Sequence, residues 1–253
     1  MSAALLRLER VTKRFGALAV SQDISLELAR GRLHALIGPN GAGKTSLINQ
    51  ISGALASDAG RIVFDGEDVT RLDLSRRARR GLVRSFQVAS LFPEYSALDN
   101  VALAAQARAG SSFRFFGRAS KAADLNATAR AALGRVGLAN RAERPAGELS
   151  HGEKRLLEIA MALACAPRLL LLDEPFAGLG AEESREALAL LRTLKSEVTI
   201  LLVEHDMEAV FALADDVSVL VGGRLLASGA PEAIRNSPAV REAYLGEEEA
   251  ASC

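Results

Sequence analysis

The sequence has little cysteine, and its two cysteines are not spaced to act together. Cys165 lies within an apolar helical run and Cys253 is the last residue, so the two have neither the spacing of metal ligands nor that of a disulfide pair. We therefore expect no cysteine-based metal site and no disulfide framework. This usage is typical of a reducing, cytoplasmic setting.

The sequence also lacks an excess of charge of either sign. Its 31 Lys and Arg residues balance 31 Asp and Glu residues, which gives a net charge of +0. A chain without net charge has no overall field that would gather nucleic acid or hold the chain on an anionic membrane. Any such partner has to be met by a local surface.

Long apolar runs are missing as well, since a membrane-spanning helix needs roughly 18 consecutive apolar residues. The best candidate, "IAMALACAPRLLLL", is divided by Pro167 and Arg168 into a predicted helix end and a buried strand. The amino terminus, "MSAALLRLERVTKRF", carries charges throughout and has no signal-type apolar core. We therefore expect a soluble chain.

Apolar side chains are plentiful, because 49% of the 253 residues are hydrophobic, which suffices for one sizeable core. Alternating segments in residues 4–28 predict strands, and "LHALIG" predicts a strand covered on both faces before a helix from Lys44. A strand pair turning at Gly66 follows, and the Ala-rich residues 99–137 predict a helical lobe. Helices then alternate with the strands "LLLL", "VTILLV" and "VSVLV". This alternation indicates a parallel sheet with helices on both faces.

One glycine-rich stretch predicts a phosphate site. "GPNGAGKTS", residues 38–46, has a glycine, four free positions and then Gly-Lys-Thr, and it lies between a predicted strand and a predicted helix. The glycines let backbone N–H groups curl around phosphates, and the helix start adds about half a positive charge. Lys44 can reach the β and γ phosphates, and Thr45 can offer its hydroxyl to Mg²⁺. The alternative is a glycine-rich turn that only caps a helix.

A second acidic element follows the buried strand of "RLLLLDEP". Asp173 ends that strand, and the strand ends of such sheets are where ligands bind, so its carboxylate is placed for Mg²⁺. Glu174 is placed to orient and polarise a water that attacks the γ-phosphate. By itself, Asp-Glu-Pro is also a common structural exit from a strand.

A third element, "LSHGE", begins a helix. Ser150 and Glu153 have the spacing of a capping box, which by itself predicts only a well-capped helix. Its position before "LLLLDEP" and after a helical lobe resembles the ATP-binding-cassette (ABC) ATPases. Leu149, Ser150 and Gly152 match the Leu-Ser-Gly-Gly-Gln signature of that family.

The resemblance covers nearly the whole chain and implies an α/β fold. It is the fold of a P-loop NTPase (RecA-like), with a parallel-sheet core, an N-terminal antiparallel β subdomain and an inserted α-helical subdomain. The resemblance implies a single ABC ATPase domain over residues 4–248. The core with its β subdomain would take residues 1–90 and 155–248, and the helical subdomain would take residues 91–154.

The resemblance also implies ATP and Mg²⁺ as cofactors and assigns residues to each. Glu174 and His205 would serve catalysis, with His205 matching the switch histidine that touches the γ-phosphate. The signature would bind the ATP held by the other subunit of a head-to-tail dimer. The residues assigned to ATP are Phe15, Gly38, Pro39, Asn40, Gly41, Gly43, Lys44, Thr45, Ser46, Gln87, Ser150 and Gly152. The residues assigned to the metal are Thr45, Gln87 and Asp173.

Several assignments have alternatives, and some positions depart from the family. Phe15 matches the aromatic that stacks on adenine, but a lone Phe also suits an apolar core. His151 and Glu153 depart from the signature, and we expect Glu153 to avoid repelling a phosphate by folding back on the Ser150 backbone N–H. Gly180 in "AGLG" stands where the family usually has an aspartate that helps to couple the two sites.

Further stretches, among them "RSFQVASLFPEYSALDNVALA", "LLVEHDMEAV" and "SPAVREAYLG", resemble the ATP-binding subunits of bacterial importers of branched-chain and other hydrophobic amino acids. Importers of urea and short amides are similar enough to remain an alternative. The resemblance implies two transmembrane permease subunits as partners, a second ABC ATPase subunit, identical or homologous, and an extracytoplasmic solute-binding protein. It implies a peripheral place on the cytoplasmic face of the inner membrane.

Two rival functions are weighed against the importer. An ABC ATPase acting on DNA or ribosomes would resemble tandem cassettes or cassettes split by coiled coils, and this chain has neither. A non-hydrolysing nucleotide switch would need neither Glu174 nor His205. The basic run Arg76–Arg80 lacks interleaved aromatics, so we expect a solvated helix face and no nucleic acid. The aromatics within Arg114–Arg118 either touch permease or lipid headgroups or fold inward.

Overall fold

The protein folds around two β-sheets of different kinds. The structure is a computed structural model that describes residues 4–85, 91–108 and 119–243, with the side chains of 119–122 left out. One sheet has six strands and the other has four. Within the described residues, no helix combines the length and apolar character needed to cross a membrane.

The secondary structure elements follow the predicted order along the chain. The strands are β1 (Ala4–Phe15), β2 (Leu18–Ala29), β3 (Leu33–Ile37), β4 (Ala59–Phe64), β5 (Glu67–Asp68), β6 (Leu82–Arg84), β7 (Leu169–Asp173), β8 (Thr199–Val203), β9 (Asp216–Val221) and β10 (Arg224–Gly229). The helices are α1 (Lys44–Ser52), α2 (Leu74–Arg79), α3 (Ala97–Arg108), α4 (Ala119–Arg135), α5 (His151–Ala164), α6 (Ala181–Leu194), α7 (Met207–Leu213) and α8 (Pro231–Arg235).

The six-stranded sheet is the predicted parallel sheet. Its strand order is β10-β9-β3-β8-β7-β6, in which the five strands from β9 to β6 run parallel and β10 adds an antiparallel edge. Strands β3 and β8 are buried at every position, as their continuous apolar runs predict for a sheet covered on both faces. The parallel arrangement brings the carboxyl ends of β3, β8, β7 and β6 to one edge.

The four-stranded sheet is antiparallel, with the order β2-β1-β4-β5. Its apolar face and the parallel sheet enclose α1, whose Leu47, Ile48 and Ile51 belong to one buried cluster with residues of both sheets. The predicted strand pair turning at Gly66 is confirmed as the β4–β5 hairpin. Helix α1 is therefore held between two sheets, and so is the loop that precedes it.

A helical part packs against the face of the parallel sheet opposite to α1. Helices α3, α4 and α5 contact one another and share one buried cluster, which includes Val101, Leu133 and Leu157. The predicted helical character of residues 99–137 is confirmed where the structure describes them. Residues Arg114–Arg118 lie outside the described residues, so the prediction for them stays open.

The expectation that Arg76–Arg80 form a solvated face is wrong for one of its members. Arg77 is 1% exposed, and its guanidinium donates to four backbone carbonyls: Leu72 (2.9 Å), Gln50 (2.7 Å), Ile51 (2.7 Å) and Thr70 (2.9 Å). The carbonyls of Gln50 and Ile51 belong to the last turn of α1, where helical carbonyls lack partners and the helix dipole favours a cation. Burial lowers the pKa of Arg77 to about 10, against the opposing charges of two nearby aspartates.

Candidate functional site

The predicted site residues come together at the carboxyl edge of the parallel sheet. The loop of residues 38–43 follows β3, and His205 lies just after the end of β8. Asp173 ends β7 with Glu174 next to it, and Arg84 ends β6. Since β3, β8, β7 and β6 are consecutive in the sheet, these groups lie in that order along one edge.

The phosphate loop is packed against two strands so closely that its glycines are required. A Cβ on Gly38 would lie 2.0 Å from the carbonyl oxygen of Leu220, and one on Gly43 would lie 2.3 Å from that of Val20. Gly43 also has a φ of 101°, a left-handed conformation that side chains disfavour, at the N-cap of α1. The loop is thus bounded by β9 on one side and β2 on the other.

Lys44 begins α1 and turns its side chain back over the loop. Its Nζ donates to the carbonyls of Gly38 (2.5 Å) and Pro39 (2.9 Å), and the residue is buried. These bonds hold the ammonium group inside the loop rather than in solvent. An anion that enters the loop therefore meets a cation already in place.

Asp173 is held by a basic side chain that the sequence did not single out. Arg84 Nη2 donates to Asp173 Oδ2 at 2.8 Å, and Arg84 also donates through Nη1 to Asn49 Oδ1 of α1. Both charged side chains are largely buried. The strand end carrying Asp173 is thereby tied to the helix that follows the phosphate loop.

Glu174 and His205 face one another across the ends of β7 and β8. The distance from His205 Nδ1 to Glu174 Oε1 is 3.9 Å, and the two side chains are 62% and 42% exposed, respectively. Both groups are therefore open to an incoming ligand and to water. Glu174 is also one of five non-glycine residues with positive φ in the described chain, at 48°.

Glu204 hydrogen-bonds to both of the loops that carry Glu174 and His205. It is fully buried, and its carboxylate accepts hydrogen bonds from the backbone N–H groups of Phe176 and His205, both at 3.0 Å. Burial raises its pKa, and the backbone N–H groups around it oppose that rise. This carboxylate sets the spacing between the loop after β7 and the loop after β8.

The start of α5 has the capping box that was predicted. Ser150 Oγ accepts from Glu153 N at 3.1 Å, and Glu153 Oε2 accepts from Ser150 N at 2.9 Å, which confirms that Glu153 folds back. Arg141 Nε donates to the other oxygen of Glu153 at 2.8 Å. The bonds from Arg141 and from the Ser150 backbone lower the pKa of Glu153, so the carboxylate stays ionised and is paired with Arg141.

His151 and Gly180, two departures from the family pattern, lie where the start of α5 approaches the loop that leads into α6. A Cβ on Gly152 would lie 2.4 Å from Glu183 Oε1, and Glu183 Oε2 accepts from the backbone N–H of Gly180 at 3.1 Å. A Cβ on Gly178 would lie 3.2 Å from His151 Nε2. The carboxylate of Glu183 therefore stands beside Gly180, where the family usually has an aspartate.

The remaining predicted residues separate into exposed and undescribed ones. Phe15 is 51% exposed, with Lys13 Nζ 5.4 Å from its ring centroid, so the alternative of a core position is wrong. Gln87 and Cys253 lie outside the described residues, and the roles assigned to Gln87 stay predictions. Cys165 is buried within the described chain and is not part of a disulfide there.

A glycine-rich loop between a parallel strand and a helix, with acidic strand ends beside it, defines the class of P-loop nucleotide-binding proteins. Comparison with known sequences gives the family. The profile described as "ABC transporter" matches residues 21–177, and that of "Branched-chain amino acid ATP-binding cassette transporter" matches residues 224–250. The chain belongs to the ABC transporter family and carries its ATP-binding domain, as the signature predicted.

Individual relatives agree with this assignment. The chain is 40% identical over 254 residues to the high-affinity branched-chain amino acid transport ATP-binding protein BraF of Pseudomonas aeruginosa, covering 98% of this chain and 100% of BraF. It is 40% identical over 255 residues to LivG of Escherichia coli, with the same coverage and the same description. These values support the main expectation, an ATP-binding subunit of a transporter.

Solved structures confirm the predicted fold class. An ATP-binding cassette of an ABC transporter in its ADP conformation has a TM-score of 0.86 at 28% identity, covering 97% of this chain and 100% of that one. A dimeric cassette in a post-hydrolysis state, bound to ADP and Pi, has a TM-score of 0.76 at 25% identity and covers 89% and 98%, respectively. The α/β core with its two added subdomains is therefore shared with ABC cassettes.

Four polar residues near the site were missed from the sequence: Arg84, Arg155, Glu158 and Glu204. Arg84, Glu158 and Glu204 follow or interrupt an apolar stretch, as Glu158 does in "LLEIAMALA", and Arg155 directly precedes one. A charge at a position that should be buried is a signal, since such groups are rarely buried unless paired. The signal identifies a buried polar group but not its partner, which comes from a distant part of the chain.

Proposed function

We propose that this chain is the ATP-hydrolysing subunit of a membrane importer for branched-chain or other hydrophobic amino acids. The observation that carries the chemical part is the meeting of the phosphate loop, Asp173, Glu174 and His205 at one edge of the parallel sheet. The amino-acid part is supported by the relatives BraF and LivG, which are branched-chain amino acid transport ATP-binding proteins and match 98% of this chain.

Each group at the site has a separate role in this proposal. The phosphate loop and Lys44 hold the β and γ phosphates, which leaves the γ-phosphate directed toward the ends of β7 and β8. Glu174 orients a water for attack, and His205 contributes a hydrogen bond to the transferred group. The exposure of both side chains supports these roles, because each must meet a ligand that arrives from solvent.

The residues near Asp173 fit Mg²⁺. This ion prefers oxygen ligands and is usually bound through one or two carboxylates plus substrate phosphates rather than by a cage of protein groups. Within the described residues, no group of three or more His, Cys, Asp or Glu side chains is placed to hold a metal ion. Asp173 and the Thr45 hydroxyl would hold the ion, together with Gln87, and the ion would neutralise charge on the phosphates. The hydrogen bond from Arg84 to Asp173 is made to Oδ2.

Each nucleotide site would be completed by a second subunit. The helix start at Ser150 presents the N-terminal end of α5, and the ion pair with Arg141 offsets the negative charge of Glu153 that would repel a phosphate. The dimeric relative bound to ADP and Pi supports a paired arrangement of cassettes. The partners would be transmembrane permease subunits, a second ATPase subunit and, indirectly, an extracytoplasmic solute-binding protein.

The test of the substrate uses cells that lack this chain. We expect uptake of radiolabelled leucine to fall in the deletion strain and to return with the wild-type chain but not with Glu174→Gln. Urea uptake in the same cells is the matched control and should be unchanged. Lost urea uptake with normal leucine uptake would favour the urea and short-amide importers instead. Copurification with permease from detergent-solubilised membranes distinguishes both from an ATPase that acts on DNA or ribosomes.

A further inference from the structure

The backbone of Glu174 is held in an unfavourable conformation by several contacts. Its φ of 48° lies in the left-handed region, which a residue with a side chain adopts only when the surroundings impose it. Its N–H donates to Val203 O at 2.8 Å, and its carbonyl accepts from Ala177 N at 3.2 Å. A third bond comes from a side chain, since Arg155 Nη2 donates to Glu174 O at 3.1 Å.

Arg155 belongs to α5, the helix that begins at the signature motif. Within the described chain, it is the one side chain that hydrogen-bonds to the main chain of Glu174. The bond therefore joins the signature helix to the residue that follows β7 in the same subunit. Removal of this bond would leave the left-handed turn held by main-chain bonds alone.

Glu158 holds the guanidinium that makes this bond. Arg155 Nη1 donates to Glu158 Oε2 at 2.8 Å, and the two side chains are 18% and 1% exposed. Within the described residues, Arg155 Nε and Glu158 Oε1 are buried without a hydrogen-bond partner. A buried pair with such open positions is a poor source of stability, because the cost of removing two charges from water is only partly returned. The pair is better explained by its effect on Arg155. The bond from Nη1 to Glu158 holds the guanidinium so that Nη2 reaches the carbonyl of Glu174.

We propose that Arg155 is a positioning residue for ATP hydrolysis, held by Glu158, and that it fixes the backbone of Glu174 so that the carboxylate meets the attacking water. The inference rests on the proposed function, because it assumes that Glu174 acts in hydrolysis. It adds an intramolecular connection between the signature helix and the hydrolytic residue.

The test combines hydrogen exchange with kinetics on the full chain. In Arg155→Met we expect faster amide exchange in residues 174–179 and a 10-fold to 100-fold lower kcat for phosphate release, with ATP binding changed less than about 3-fold. In a Glu174→Gln background, Arg155→Met should lower hydrolysis no further, because the two residues act as one unit. Glu158→Gln keeps the shape of the pair and should show the same changes at smaller size, which covers the case that Arg155→Met does not fold.

Lys195→Met is the matched control. Lys195 also joins a backbone carbonyl, Leu213 O at 3.1 Å, to a carboxylate, Asp215 Oδ1 at 2.9 Å, but it lies at the end of α6. It should change neither exchange in residues 174–179 nor kcat. Wild-type exchange and kcat in folded Arg155→Met or Glu158→Gln would overturn the inference. Wild-type hydrolysis by Glu174→Gln would instead overturn the proposed function, and the exchange result would then still report whether Arg155 holds the loop.

Discussion

Three glutamates near the site, Glu174, Glu204 and Glu158, lie in different environments. Glu174 is 42% exposed and faces His205, whereas Glu204 and Glu158 are fully buried. Burial raises the pKa of Glu204 and of Glu158, and each meets its own donors: two backbone N–H groups for Glu204 and Arg155 for Glu158. Of the three, only Glu174 combines access to solvent with a place at the same sheet edge as the phosphate loop, which is why we assign hydrolysis to it.

That assignment predicts a specific loss in Glu174→Gln. The amide keeps the size of the side chain but cannot polarise a water as a carboxylate does, so phosphate release should slow by about 10² to 10⁴-fold while ATP still binds. Slow turnover should trap the ATP-bound dimer, which size-exclusion chromatography with ATP would detect. Phosphate release at the wild-type rate would remove Glu174 from the reaction.

A second residue-scale prediction concerns pH and stability. His34 is 3% exposed, and its Nε2 lies 2.8 Å from Ser218 Oγ. Burial lowers the pKa of His34 from 6.5 to about 4 in the folded chain, with a smaller opposing contribution from Asp216. Between these values the unfolded chain binds a proton that the folded chain does not, so stability falls as the pH drops from about 6.5 toward 4.

His34→Gln tests this linkage because the amide does not titrate. Between pH 7 and pH 5 the wild type should lose about 2 kcal/mol more free energy of unfolding than the variant, measured by urea denaturation at each pH. Carboxylates titrate in both proteins, and their contribution cancels in the comparison. Parallel losses in the two proteins would mean that His34 is not kept neutral by burial.

At the scale of elements, α1 depends on groups at both of its ends. Its start is the phosphate loop, whose glycines pack against β9 and β2, and its last turn is covered by Arg77. The adjacent Arg76 is exposed and pairs with Asp73 at 3.7 Å. Two neighbouring arginines of α2 therefore have opposite roles, because only one side of that short helix faces α1.

This difference predicts unequal costs for the same substitution. Arg77→Met leaves buried carbonyls without donors and should lower the free energy of unfolding by about 3 kcal/mol. Arg76→Met removes only an exposed ion pair and should cost less than about 0.5 kcal/mol. Chemical denaturation of both variants measures the difference. Equal stability of the two variants would contradict the capping of α1 by Arg77.

At the scale of the whole molecule, each chain presents two separate features for a nucleotide. The phosphate loop lies at the edge of the parallel sheet, and the helix start at Ser150 opens α5 in the helical part. A head-to-tail pair of chains would bring the loop of one chain to the helix start of the other. The separation of the two features makes their contributions testable in mixtures.

Mixing two inactive variants provides that test. Ser150→Arg should bind ATP as a monomer but fail to close on a partner, and Lys44→Ala should fail because it holds phosphates poorly. A mixed dimer has one doubly damaged site and one intact site, so some ATPase activity should return and rise with protein concentration. If a companion ATPase is required, the mixture is repeated with permease and that subunit. Loss of monomeric ATP binding in Ser150→Arg would place the helix start in the chain's own site.

The sequence by itself determined the local devices of this protein. The phosphate loop, the acidic end of β7 and the capping box of α5 each lie within a few consecutive residues, so their spacing predicted them. Hydrophobic periodicity likewise predicted the parallel sheet, since strands buried on both faces read as continuous apolar runs. The order of these motifs along the chain then indicated the ABC family, which the spacing within each motif did not.

Only the tertiary structure decided which distant groups meet. Asp173 pairs with Arg84 because β6 and β7 are neighbours in the sheet, although the two residues are 89 positions apart. Arg77 is buried and Arg76 is not, because α2 packs with one side on the end of α1. A local pattern records the period of an element but not its neighbours. The partners of buried charges follow from strand order and helix packing, which the chain determines only when it is folded.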